Sequence, residues 1–533
     1  MILDERSQGS PHGKFISPPS APTNALTIEL EPLLGPSADP AVAGLILRQV
    51  GSANPEMATA LLTQLAANAD QLRQSDPAIV GALLRGLHLL FLKGDPQAVA
   101  ELDPLALATI DEALPKDCLN RHLLLHLLVM VRTAPALTTA VERLRAEPPR
   151  NWEASGQLLS PLMQHRDWTV EAIFPAILDT LAHPSMASPV LDLANFITRE
   201  KLVDKHPAAD RTAALASLLA GVTSRLERFE ADPRSLGDDI PTVQARLAEA
   251  VALSVSLCDA LGLVGQATTI PRLTETMQLT HRRVQTEAAG ALARMGDPTG
   301  IEKLISLVSE PVARLRVIAY ADELGLSDRI ADHYRSQESD AEANMALWLS
   351  QPSQMGIPPT EVETLDRRHQ YWPGYERPID CFLVRFHYDL GGRSYSNVGI
   401  SGPVTFALAN NVADLPIDDI YAIYAGWHAD HQQIFAIAPE HINDVQRRLV
   451  TRLAEHAIRA GYFSPHLELF GCFFEEEAAV FRAFRDDKSC RVITDGLESI
   501  HLPLVDRPRQ PDAGDLWNLY KGRKILRTFN PLD

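Results

Sequence analysis

Two clusters of side chains in this 533-residue chain carry residue types that could do chemistry. In Trp427-His428-Ala429-Asp430-His431, two imidazoles stand three apart, which puts them on one face of a helix, with a carboxylate close by. Such a set can present two nitrogens to a divalent metal, Asp430 or a distant carboxylate completing the shell. It lacks the His-Glu-x-x-His order of a zinc protease, and His369 or His387 join it only if the fold brings them near. A solvated or hydrogen-bonded helix face explains the same residues without a metal. The second cluster follows Gly471-Cys472-Phe473-Phe474, where a strand-like run leads into Glu475, Glu476 and Glu477. Carboxylates at the end of a strand can bind a cation or act as general bases. Because Ala478-Ala479-Val480-Phe481 comes next, the same acids also suit the first turn of a helix, where negative charge meets the positive end of the dipole.

Other chemistry is more weakly written. A nucleophile would need Cys381, Cys472 or Cys490 beside a base such as His387 or His431, yet cysteines among apolar strand residues are usually buried and inert. The chain has five cysteines, with no Cys-x-x-Cys pair, so neither a disulfide framework nor a cysteine-based zinc site is expected. No Gly-x-Ser-x-Gly elbow, Walker A loop or Gly-x-Gly-x-x-Gly turn occurs, and no cofactor is implied. The last stretch, Leu516 to Phe529, interleaves Trp517 and Tyr520 with Lys521, Arg523, Lys524 and Arg527. Cations among aromatics can follow a phosphate backbone. Docking of Leu516, Leu519, Ile525, Leu526 and Phe529 on the domain is the simpler expectation. Tyr371-Trp372-Pro373-Gly374-Tyr375 is expected to form an interaction surface or to pack between domains.

The elements that must position these residues differ along the chain. Ten of the Phe, Trp and Tyr residues precede residue 366 and 22 follow it, although the chain average is only 6%. Charge divides at the same place: the net −19 splits into −15 for residues 1–365 and −4 for the remainder. Residues 1–39, broken by six prolines, are expected to be disordered, with a short contact near Leu26 to Leu34. From 40 to 333 come Leu- and Ala-rich segments of helical period, with Ile79, Leu83, Leu84, Leu87 and Leu90 on one face. His122 to Val131 is the most apolar run noted, too short to span a bilayer. A final helix over 341–349 and a linker fill 334–365. Residues 366–533 then form an α+β domain: a hairpin of 381–388 and 393–400 turning at Gly391-Gly392, helices at 417–436 and 440–460, and strands at 466–474, 489–494 and 500–504. Without a signal-peptide core at the N-terminus, a cytoplasmic place is expected.

Within the helical part, Ala260-Leu261-Gly262-Leu263-Val264-Gly265 is echoed 31 residues later by Ala291-Leu292-Ala293-Arg294-Met295-Gly296. A second helix follows each terminal glycine, opened in the later copy by Asp297-Pro298. Val284-Gln285 before Ala288 returns as Leu315-Arg316 before Ala319. On these residues, the stretch from about 250 to 326 resembles HEAT repeats, of the short kind found in the phycobilisome-lyase-like group. The resemblance implies an α-solenoid that binds other macromolecules along a curved helical surface; lyase activity is not implied, since no chromophore-binding motif is present. The expected fold is mainly α, a HEAT-like solenoid followed by a smaller α+β domain. The expected function is a bacterial-style protein-binding scaffold or adaptor whose second domain adds a contact. An acidic array suits a protein partner with a basic surface, while nucleic acid and membrane are disfavoured. An enzyme or metal-dependent module in the C-terminal domain is the alternative, and nucleic-acid binding through the basic tail is the third.

Overall fold

The structure is a computed structural model that describes residues 30–36, 40–51, 55–93, 96–115, 117–370, 372–373, 375, 377–390, 392–402, 404–408, 411–430, 435–442, 444–473, 476–486, 488–504 and 511. The chain divides into two compact units, Met1–Asp210 and Arg211–Asp533. In the first, Leu30, Leu33 and Leu34 are buried around a short 3-10 turn, Glu31–Leu33, the described part of the contact expected near Leu26 to Leu34; residues 1–29 lie outside the described residues. Ten α-helices follow: α1 (Pro40–Gly51), α2 (Pro55–Ala67), α3 (Ala69–Leu72), α4 (Pro77–Lys93), α5 (Pro96–Ala100), α6 (Pro104–Ala113), α7 (Arg121–Met130), α8 (Ala134–Ala146), α9 (Trp152–Gln164) and α10 (Pro184–Arg199).

They stack in two rows. α1, α4, α7, α9 and α10 each pack on the next, and α2, α6 and α8 make the second row. The apolar stripe of α4 runs Val80, Leu83, Leu84, Leu87, Phe91, turned one residue from the expected Ile79 and Leu90. A buried carboxylate, Asp111 of α6, joins the rows: Arg121 of α7 donates to it from Nε (2.7 Å) and Nη2 (2.8 Å), and Arg143 of α8 from Nε (2.8 Å). Such a carboxylate is tolerated in the interior because its oxygens are paired by guanidinium donors.

Three histidines of this unit are buried in the neutral form. His88 and His126 share a hydrogen bond at 3.0 Å between Nε2 and Nδ1. His206 Nε2 contacts Asn195 Oδ1 at 3.0 Å, while its Nδ1 accepts the Ala208 backbone N–H at 3.2 Å, an arrangement that requires an unprotonated Nδ1. Burial lowers all three to about 4, helped by neighbouring His122 at His88, by His88 and His122 at His126, and by Arg199 at His206.

In the second unit, α11 (Thr212–Ala231), α12 (Ile240–Val264), α13 (Ile270–Thr276), α14 (Arg282–Arg294), α15 (Pro298–Ser306), α16 (Pro311–Glu323) and α17 (Gln337–Leu349) continue the helical theme. One row is α12, α14, α16 and α17; α11, α13 and α15 pack alongside it. The expected glycine ends are real: Gly265 and Gly296 close α12 and α14 at φ of +69° and +78°, and Gly325 closes α16 in the same way at +69°, a left-handed conformation that costs glycine little. Asp297 caps α15 by accepting the Gly300 N–H at 2.9 Å. Ile240–Val264 is the one described helix long and apolar enough to cross a membrane, and 67% of its most apolar window is buried inside the fold. It is longer than the apolar run His122 to Val131.

Helix α14 comes very close to α16 and to α15. A Cβ added to Gly290 would stand 2.4 Å from Cζ of Tyr320, and one added to Gly300 would stand 2.2 Å from Cβ of Leu292. Beside this contact the Glu287 carboxylate is buried. It accepts from Arg316 Nε (2.6 Å) and Nη2 (2.9 Å) and from the Tyr320 hydroxyl (2.6 Å). Burial and then the Glu287 charge push the Tyr320 phenol well above its usual range, so it stays a donor. Further ion pairs span about one repeat: Arg282 with Glu310, Arg294 with Glu323, Glu302 with Arg329, and Arg314 with Glu342 join positions 27 to 29 residues apart.

Beyond α17 lie two antiparallel sheets. One has the order β1 (Glu361–Gln370), β2 (Ile379–Leu390), β3 (Arg393–Ser401), β4 (Phe406–Ala407). The other runs β5 (Phe435–Ile437), β6 (Phe463–Phe473), β7 (Glu476–Arg485), β8 (Lys488–Thr494), β9 (Ser499–Pro503). Alternation along β2 buries both faces of the first sheet. Phe382, Val384, Phe386 and Tyr388 meet Ala341, Met345 and Leu349 of α17, whereas Cys381 and Leu383 meet Ile420, Tyr421 and Tyr424 of α18 (Ile417–Asp430). The same core takes in Leu469, Ala478, Val480 and Ile493 of the second sheet, whose other face receives Leu453 and Ala457 of α19 (Asp444–Arg459). The two sheets and α18 therefore share one core, with α17 on the far face of the first sheet and α19 on the far face of the second.

Several expected boundaries are corrected. The helix expected over 417–436 ends at Asp430, and Phe435–Ile437 is a strand. Residues 476–485, expected to open a helix after the three glutamates, form β7, because Ala479, Val480, Phe481 and Ala483 are needed on two buried faces. Strand β1 starts at Glu361, inside the expected linker.

Two outcomes follow from this packing. Gly290→Ala is expected to lose about 1–3 kcal/mol in urea unfolding through overpacking against Tyr320, whereas Gly221→Ala on α11, where nothing lies within 4 Å of the added carbon, is expected to gain up to about 1 kcal/mol. Because the folded pKa values of His88, His126 and His206 lie below the unfolded 6.5, the unfolded chain binds more protons between pH 6.5 and 4, and stability falls as pH drops through that window. Each shift is worth up to about 3 kcal/mol; urea midpoints from pH 7.5 to 4.5 are expected to show a shallower slope in His206→Gln than in the wild type.

Candidate functional site

The residues singled out by their chemistry fall in different places. Trp372 is wholly buried, spent on the core between the first sheet and α18 and so withdrawn from any surface. Its indole Nε1–H donates to Nδ1 of His428 at 2.8 Å, and the two rings stack with centroids 6.1 Å apart. An indole N–H can only donate, so His428 Nδ1 serves as acceptor. Phe406 lies against this pair, stacked on Trp427 at 4.8 Å. His428 is thus an anchor for a buried tryptophan.

Asp430 closes α18, but its side chain lies outside the described residues, as do His431 and Glu475; Glu476 belongs to β7 by its backbone alone. Glu477 is half-buried in β7, opposite Cys472 of β6. Among the described residues no group of three His, Cys, Asp or Glu is placed to hold a metal ion. Tyr375 is half-buried against the Trp372 core. Tyr371, Lys521, Arg523 and Lys524 lie outside the described residues. His369 bonds to Asp380 at 3.2 Å and His387 to Ser394 at 3.2 Å. Burial pushes the Cys381 thiol up to about 12, and burial raises Cys490 as well. Thiols held protonated are poor nucleophiles.

What the structure assembles instead is a joint between the helical row and the first sheet. Arg314 of α16 is buried and donates to Val308 O (3.2 Å), to Ser339 O (2.9 Å) and to the Glu342 carboxylate (3.0 Å). The other oxygen of Glu342 accepts the backbone N–H of Thr364 in β1 at 3.1 Å. Arg367 of β1 reaches Glu338 at 2.9 Å and Asp380 at 3.2 Å. One carboxylate on α17 therefore takes a donor from the preceding helix and another from the sheet, so the sheet continues the row as its next layer. No motif marks Glu342 or Arg314 in the sequence; their spacing of 28 residues, close to the repeat period, is the signal that could have found them.

Residues 237–324 match the family model for HEAT repeats. The HEAT match covers α12 to α16, starts 13 residues before the stretch identified from the Ala-Leu-x-x-x-Gly ending, and stops before the sheets. No curated protein and no solved structure matches the chain. The HEAT stack, ending in α17 and bound to a two-sheet domain, is the candidate functional surface.

His428→Phe removes the acceptor of a buried N–H, which is expected to cost about 1–3 kcal/mol in urea unfolding followed by tryptophan fluorescence. His428→Gln, which keeps an acceptor, is expected to recover part of that loss.

Proposed function

We propose that this protein is a cytoplasmic protein-binding scaffold that holds a partner along its HEAT array, the two-sheet domain adding a second contact. The observation that carries this reading is the match of residues 237–324 to HEAT repeats, because such arrays commonly present extended surfaces to other proteins. Support comes from how the array is built. Its ion pairs run mainly between neighbouring repeats, stiffening the stack, and its aromatic residues are few. The excess of carboxylates in residues 1–365, a balance of −15, supports a partner with a basic surface. Four described cysteines are free and buried, in keeping with a reducing compartment.

The test uses the full chain as bait, with carboxylate-reactive crosslinking of the captured protein read by mass spectrometry, since 212–349 holds a single lysine, Lys303. Crosslinks are expected on helices of the array. Crosslinks confined to residues 361–503 would overturn the reading.

A further inference from the structure

Between α11 and α12 the chain turns through a short 3-10 helix, Pro233–Leu236, and beside this turn is a cavity of about 310 Å³ lined by Arg225, Arg228, Ser235, Leu236 and Arg246. Arg225 and Arg228 are three apart on α11 and share a face; Arg246 comes from the second turn of α12. Leu236 is buried, while Arg228, Ser235 and Arg246 are exposed, so the cavity has an apolar side and opens to solvent. Arg246 is held against the turn by Nη1–H donating to Leu236 O at 2.7 Å, and Arg228 Nε donates weakly to Ser224 O at 3.3 Å.

These three guanidiniums differ from most of the arginines further along, Arg283 being an exception. Arg272, Arg282, Arg294, Arg314, Arg316, Arg329 and Arg335 each pair with a carboxylate. Among the described residues, Arg225, Arg228 and Arg246 make no ion pair. Three of the acids near in sequence bond to backbone N–H groups, one of them, Asp239, also feeling the charge of Arg246. Glu230 accepts the Thr280 N–H (2.7 Å), Asp232 the Arg234 N–H (3.0 Å) and Asp239 the Thr242 N–H (2.9 Å). The chain thus gathers three like charges around one hollow in a strongly acidic protein and gives them no counter-charge through a salt bridge.

We infer that this pocket binds the phosphate monoester group of a ligand. A monoester carries nearly two negative charges and three acceptor oxygens, which suits three forked donors better than the two oxygens of a carboxylate. The Ser235 hydroxyl adds a donor at the rim. A polyanion is disfavoured, because the −15 balance of residues 1–365 repels a long phosphate backbone while one phosphate on a compact carrier meets only the local cations. The inference rests on the scaffold reading only for where the phosphate comes from, a modified partner chain in the first instance.

The experiment uses the full chain and a fluorescent degenerate peptide with a central phosphoserine, its unphosphorylated twin, and glucose 6-phosphate as free monoester. Binding of a phosphorylated probe is expected, weakened at least tenfold by Arg228→Gln and by Arg246→Gln and unchanged by Arg283→Gln on α14. Both pocket arginines are exposed, and an unchanged melting temperature separates lost binding from lost folding. Preference for the phosphopeptide over its twin, with weak competition by glucose 6-phosphate, makes a protein chain the source; glucose 6-phosphate binding with the peptide excluded makes it a small molecule. Failure of every phosphorylated probe to bind, or binding equal to wild type in both pocket variants, would overturn the inference. Partner crosslinks that persist on the array in the Arg228→Gln, Arg246→Gln double variant would leave the scaffold reading standing when the pocket fails. Phosphate binding without array crosslinks would do the reverse.

Discussion

A carboxylate buried between two repeats constrains the second unit. Taking Glu287 out of water costs several kcal/mol, and the cost is offset only if its oxygens are filled from a fixed direction. Arg316 supplies a two-pronged bond and Tyr320 a hydroxyl, both from the next helix of the row. The Tyr320 ring can reach that position because the facing residue, Gly290, has no side chain. Helix spacing, register and charge pairing are thereby tied together: widening the gap strands the carboxylate, and filling it displaces the ring. The guanidinium of Arg316 also lies 4.4 Å from the centre of the Tyr320 ring, so one aromatic residue serves as packing, donor and cation platform.

The same device recurs at the end of the row in another form. Glu342 on α17 takes Arg314 from the helix before it and the Thr364 N–H from the strand after it. A stack of helices normally ends in an exposed face that must be made polar. Here the last apolar face is covered by Phe382, Val384 and Phe386 of a sheet, so the two-sheet domain doubles as the cap of the array. A shared apolar core and a carboxylate bonded to both sides tie the sheet to the end of the row.

How much was legible depended on where each signal was stored. The helical part showed itself through period and punctuation, and the hairpin of β2 and β3 through aromatic-rich strands around two glycines; Leu390 does face Arg393 across its end. Strand β1 carries no apolar alternation because half of Glu361 to Gln370 is charged, as suits a strand whose alternate residues are exposed. Strand β7 read as a helix because alanine favours helices, and only burial on both sides of a sheet overrides that preference. The histidine cluster showed which residues were present but not their partners. His428 turned out to receive the indole N–H of Trp372, 56 residues away in the chain.

Composition and spacing alone determined that this is a mainly helical chain with short repeats, glycine-ended helices and a distinct aromatic-rich domain, because these properties depend on neighbours within a few turns. Tertiary structure decided which charges are buried and paired, which arginines keep no carboxylate, and that the sheets cap the array. Those outcomes depend on residues brought together from one repeat to the next or from helix to strand. The energy of burying a charge or a ring is set by what lies on its far side, which no local stretch of sequence records.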